Sequence, residues 1–158
     1  MAKAATTAEV KKAPAKAPAK ASVKRTKVRN VPFAHAVGRR KRAIARVWLR
    51  KGKGEILVNG RALQEYFPVI TSFQDSQRSF VAVPMTSDML ADVKVVGGGY
   101  TAQASAVKLG IARALLQFDE TLKPEMRQNG FLTVDSRTKE RKKPGQKGAR
   151  KKFQFTKR

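Results

Sequence analysis

The chain has no cysteine, one histidine and one tryptophan in 158 residues. It also has no apolar run near the roughly 20 residues that a helix needs to cross a bilayer. Without cysteine there can be no disulfide and no thiolate metal site, and a lone imidazole builds no histidine cluster, so zinc and haem centres lack ligands. The first residues lack the apolar stretch of a secretory signal, and no membrane association is expected. Acidic residues are scarce and unevenly placed. Residues 1–30 carry nine Lys/Arg against Glu9, residues 31–50 carry six against none, and residues 137–158 carry eleven against Glu140. Residues 51–136 carry nine of each sign and are neutral, so the net charge of +24 belongs to the two ends and one short internal block. A neutral folded middle with cationic arms suits a chain that lies against dense phosphate, which points to nucleic acid as partner.

The organisation follows the charge. Residues 1–30 repeat Ala-Pro-Ala-Lys at Pro14 and Pro18, which blocks helix propagation and offers no apolar face, so a disordered basic arm is expected. An organellar transit peptide is disfavoured, because the charge is mostly Lys, prolines interrupt any amphipathic helix and Glu9 intrudes. Residues 31–136 are long enough for one α+β domain with one core. Residues 137–158, with Pro144, Gly145 and Gly148 among alternating cations, read as an extended basic tail that packs no core.

Within the domain, Ala43, Ala45, Val47 and Leu49 alternate with Ile44, Arg46, Trp48 and Arg50, a strand with an apolar and a basic-aromatic side. Lys51-Gly52-Lys53-Gly54 supplies turn chemistry, so residues 55–59 are expected to return beside it as a hairpin. A short helical turn through Leu63, Tyr66 and Phe67 ends at Pro68, and residues 69–92 read loosely as helix. A strand over residues 92–96, the turn Gly97-Gly98-Gly99 and a long helix capped by Thr101 follow. That helix carries Ala104, Val107, Ile111, Ala114 or Leu115, and Phe118 on one stripe. A short helix from Pro124 to the cap Asn129-Gly130 precedes a possible strand over residues 131–134.

Chemistry-bearing groups are few. His35 has no Ser or Asp partner in sequence and reads as a solvent-facing or satisfied side chain, while Asp88, Asp92 and Asp119-Glu120 read as charge balance at element ends. No enzyme, cofactor or small-molecule substrate is expected. The glycine turn fits neither a dinucleotide fingerprint nor a P-loop, which leaves a tight structural turn or a phosphate contact by Gly97, Gly98 and Gly99. The block Arg39-Arg40-Lys41-Arg42 with Arg46, Trp48 and Arg50 has no acid within its twenty residues. Mutual repulsion makes such a block costly unless a polyanion neutralises it, and its face suits phosphates and stacked bases.

Three stretches resemble one family. GRRKRAIARVWLRKGKGEILVNGRALQEYFP, VKVVGGGYTAQASAVKLGIARALLQFD and GFLTVDSRTKERKKPGQKGARKKFQFTKR are similar, in order, to the opening, the glycine turn with central helix, and the C-terminal extension of the small-subunit ribosomal protein S nine family of bacterial type. The resemblance covers roughly residues 33 to 158 and leaves the N-terminal arm as an extension. It implies an S five domain two-like fold bound to small-subunit rRNA in the head, beside neighbouring head proteins; a cytoplasmic ribosome is expected ahead of an organellar one, though the residues do not decide between them. It implies rRNA contact by Arg39, Arg40, Lys41, Arg42, Arg46, Gly97 to Gly99, and the tail residues Arg141, Lys142, Lys143, Lys147, Arg150, Lys151 and Lys152. It further implies that Lys157 and Arg158 reach the P-site tRNA, and about twenty extended residues do span about 65 to 70 Å. The chain departs from the pattern at Phe153, where Pro is usual before Gln154-Phe155, and at Thr156, where Ser is common. A DNA-packaging protein is the rival reading, carried by the Ala-Lys-Pro arm.

Overall fold

The computed structural model describes residues 31–156; the arm expected over residues 1–30, and Lys157 and Arg158, lie outside the described residues. Strands β1 (Ala34–Arg40), β2 (Ala43–Lys51), β3 (Ile56–Val58), β4 (Arg61–Ala62) and β5 (Met89–Val96) form one sheet in the order β1-β2-β5-β3-β4. Helices α1 (Leu63–Tyr66), α2 (Ile70–Val81), α3 (Tyr100–Phe118) and α4 (Lys123–Gln128) complete an α+β fold, with a 3₁₀ turn at Pro84–Asp88. None of these helices is long and apolar enough to cross a membrane.

The strand alternation holds: Ala43, Ala45, Val47 and Leu49 are buried to 1% exposure or less, and Arg46 is exposed. The expected hairpin does not form. Strand β2 pairs antiparallel with β1 on one side and with β5 on the other, and β3 pairs parallel with β5. Lys51–Gly54 ends β2 without turning the chain back beside it, and Met89–Val96, longer and more apolar than residues 55–59, takes the place beside β2. Two short hairpins exist instead. One joins β1 to β2 through Lys41-Arg42, and the other joins β3 to β4 through Asn59-Gly60, both at positive φ (50° and 79°), as a type I′ turn requires.

Helix α3 lies on the inner face of β1 and β2. It comes close because Gly38 and Gly110 face each other: a Cβ on Gly38 would overlap the Ala106 carbonyl oxygen, and one on Gly110 would lie 2.7 Å from Val47. Its side chains also close the outer edge of β1, since Gln117 accepts from the His35 amide at 3.1 Å and Arg113 donates to the Val37 carbonyl at 2.8 Å. The stripe Ala104, Val107, Ile111, Ala114 and Leu115 is buried as expected, but Phe118 is half exposed against Phe33, with ring centroids 5.0 Å apart. Residue Gly99, not Thr101, is the N-cap, with no side-chain bond.

Helix α2 packs on α3 through Ser72, Ser76 and Ser79 rather than through Val69 and Ile70, which are exposed. Small hydroxyl side chains let the helices approach, and Ser79 donates to the Lys108 carbonyl at 2.9 Å. After α4 the Gly130 amide bonds to Arg127 and the Phe131 amide to Met126, a Schellman closure at φ 69°. Residues 131–134 form no strand. Phe131 and Leu132 instead pack against the core.

Candidate nucleic-acid interface

With α3 on the inner face, the outer face of β1, β2 and β5 carries His35, Val37 and Arg39, then Ile44, Arg46, Trp48 and Arg50, then Leu90, Asp92, Lys94 and Val96. The register sets Trp48 between His35 and Asp92, and Arg46 between Val37 and Lys94. The rings of His35 and Trp48 have centroids 5.1 Å apart, and Lys94 Nζ lies 5.6 Å from the indole centroid. Arg50 reaches Asp92 at 3.7 Å, the one acid on this face. His35 is thus solvent-facing, as its sequence context suggested. His35, Lys94 and the Arg50–Asp92 pair were missed as members of a common surface; alternation over residues 92–96 hinted at Lys94, but only the strand register brings it to Trp48.

The basic block is divided by the pleat. Arg39 points outward, Lys41 and Arg42 form the hairpin tip, and Arg40 follows Ala34, Ala36 and Gly38 to the inner side. There it is mostly buried, with Nη1 donating to the Asp135 carbonyl at 2.9 Å and the Arg137 carbonyl at 3.0 Å, and Nη2 paired with the Asp135 carboxylate at 2.5 Å. So the acid missing from the surrounding sequence arrives from 95 residues away. The Asp135 carboxyl is held well below the ordinary carboxylate range, first by hydrogen bonds from Arg137 and then by the Arg137 and Arg40 charges. Arg39, Lys41 and Arg42 have no carboxylate partner among the described residues. Lys41 holds φ at 52°, which a side chain adopts at a cost.

Gly97 and Gly98 sit at φ 74° and 69° against this hairpin; a Cβ on Gly97 would lie 2.5 Å from the Arg42 carbonyl, and one on Gly98 3.0 Å from Ala43. The turn is tight for structural reasons, and it brings the uncapped amides of α3 next to the hairpin tip. Gly99 has open space around it. A hydrogen-bonded chain fixes the turn: Asn59 exchanges two bonds with the Val95 backbone, Tyr66 donates to Gln103 Oε1 at 3.0 Å, and Gln103 Nε2 donates to the Gly97 carbonyl at 3.0 Å.

In the tail, residues 136–156 form neither helix nor strand. Arg150 forks onto the Glu140 carboxylate, and the Lys147 amide bonds the Lys151 carbonyl at 2.9 Å, closing a local bend. Lys147 Nζ stands 5.5 Å from the Phe153 ring centroid. Arg141, Lys142, Lys143, Lys151 and Lys152 are exposed. An apolar cleft of about 690 Å³ opens elsewhere, lined by Phe33, Met85, Met89 and Phe118.

Comparison with known proteins agrees with this arrangement. A family model described as ribosomal protein S9/S16 matches residues 38–158. The chain is 48% identical over 128 residues to the small ribosomal subunit protein uS9 of Azobacteroides pseudotrichonymphae, covering 80% of this chain and 98% of that protein. It is 48% identical over 123 residues to the uS9 protein of Gemmatimonas aurantiaca, covering 78% and 95%. To the uS9 protein of Sorangium cellulosum it is 47% identical over 124 residues, again covering 78% and 95%. A match that takes in the basic hairpin, the glycine turn, the central helix and the whole tail leaves one conclusion: the chain belongs to the ribosomal protein S9/S16 family.

Proposed function

We propose that this chain, a structural ribosomal protein and not an enzyme by its family, binds small-subunit rRNA in the head and contacts P-site tRNA through the tail tip. The observation that carries the rRNA reading is the division of the domain: one face is closed by helices, and the other presents Arg39, Lys41, Arg42, Arg46 and Lys94 around a glycine turn. Cations set on a rigid hairpin neutralise phosphates with little ordering cost, while the exposed tail cations from Arg141 to Lys152 follow the rRNA backbone. Gly99 and the uncapped amides of α3 add a phosphate-sized site beside Lys41 and Arg42. Lys157 and Arg158, at the end of a tether with no core of its own, would hold tRNA phosphates without reading sequence. The Phe33–Phe118 cleft supports contact with neighbouring head proteins, because its lining is mostly apolar, with Lys51 and Asp88 beside Phe33, Met85, Met89 and Phe118. A cytoplasmic ribosome is the setting.

Sedimentation through a sucrose gradient at high salt tests this, comparing the full chain with one lacking residues 156–158. Both should travel with the small subunit, and the shortened chain should retain less tRNA in the P site. Loss of the full chain from the subunit, or migration with DNA, overturns the reading in favour of a DNA-packaging protein.

A further inference from the structure

We propose that the outer sheet face is a stacking platform for one unpaired RNA base, with Trp48 as the stacking surface and Arg46 and Lys94 as the clamp on its phosphate; this rests on the rRNA reading above. Arg46 and Lys94 are direct cross-strand partners on an exposed face. Like charges so placed destabilise an antiparallel pair unless an anion lies between them. Among the described residues no carboxylate pairs with either one, since Asp92, their neighbour on the face, is turned to Arg50. At the next position on the same face of β2, the half-buried indole of Trp48 lies between β1, which supplies His35, and β5, which supplies Lys94. His35 packs tilted against the ring and fixes its plane, and Lys94 Nζ stands over it 5.6 Å from the centroid, so Lys94 turns from the indole to the phosphate when a base stacks.

The chemistry selects the occupant. An apolar protein segment laid here would strip water from Arg39, Arg46 and Lys94 and return no charge. A paired duplex offers phosphates but hides its base faces. An unpaired nucleotide brings both a π-face for the indole and an anion for the Arg46–Lys94 pair, the combination that single-strand binding surfaces use.

The chain contains a single tryptophan beside two tyrosines, so emission excited at the red edge, where tyrosine does not absorb, reports position 48 alone. The full chain is titrated at fixed salt with a short single-stranded oligouridylate, with a fully paired RNA duplex, and with an abasic ribose-phosphate strand of equal length. The oligouridylate is expected to quench the emission, and the other two to bind with little quenching. Trp48→Leu should weaken oligouridylate binding about 5- to 150-fold and leave abasic binding unchanged, whereas Trp48→Phe should keep most of the affinity. Circular dichroism of both variants establishes that they fold. Equal quenching by the abasic strand, or binding of oligouridylate that Trp48→Leu does not weaken, overturns the platform and leaves the rRNA reading standing. Absence of RNA binding by the full chain at moderate salt overturns both.

Discussion

Gly38 opens the basic block, yet its role is that of a spacer. A methyl group there would collide with the Ala106 carbonyl oxygen, and backbone in the middle of a packed helix cannot retreat. Gly38→Ala is expected to lose about 1–3 kcal/mol or more in urea unfolding, as overpacked sites do. Gly99→Ala meets nothing within 4 Å and should lose at most what a poorer N-cap costs, about 0.5–1 kcal/mol. Lys41 makes the opposite case. It holds a left-handed backbone at φ 52° at the hairpin tip, so Lys41→Gly should be as stable as the natural chain or gain up to about 1 kcal/mol. The same variant should bind RNA more weakly, and filter binding beside thermal unfolding would separate the two effects.

Among the elements, the tail owes its starting direction to β1. Arg40 grips the residue 135 and 137 carbonyls and the Asp135 carboxylate. Arg40→Met is expected to raise exchange of the Arg137 amide, which Asp135 accepts at 3.0 Å, severalfold while exchange in β2 and α3 stays the same. Because the Asp135 carboxyl titrates below its unfolded value, the linkage favours the gripped tail above about pH 4 and fades as pH falls through the lowered value. Tail protection should therefore be flat from pH 8 to 5 and drop only in strong acid. Much of this organisation was legible in the sequence. Alternation revealed the β2 faces, the stripe through Ile111 revealed α3, and Gly130 marked the end of α4. What stayed hidden was non-local. The apolar run 55–59 looked like a partner for β2 because adjacency in sequence is the default, and nothing in residues 89–96 announced that they would intervene. The burial of the α2 serines was not legible at all, since it depends on how near α3 approaches. The outer face was half visible: Arg46 and Trp48 could be read from one strand, whereas His35 and Lys94 join them only through register.

At the scale of the whole molecule, a neutral body with cationic extremities predicts a binding equilibrium governed by released counterions. Each phosphate contact to a single strand contributes about 0.7 to the slope of log affinity against log salt. The Arg46→Ala, Lys94→Ala double variant, which removes the clamp on one phosphate, should lower that slope by about 0.7, measured by titration over a range of potassium chloride, while the tail preserves the remainder. The sheet order carries one more consequence, for how the chain reaches this state. Strands β2 and β3 leave a ribosome's exit tunnel consecutively, with a glycine turn between them, before β5 has been made. If they zip together first, they form a misregistered hairpin that must open for β5 to enter. Folding would then run through a trap whose depth is set by Lys51–Gly54, and stiffening that loop should slow maturation of the newly made chain without changing its final stability.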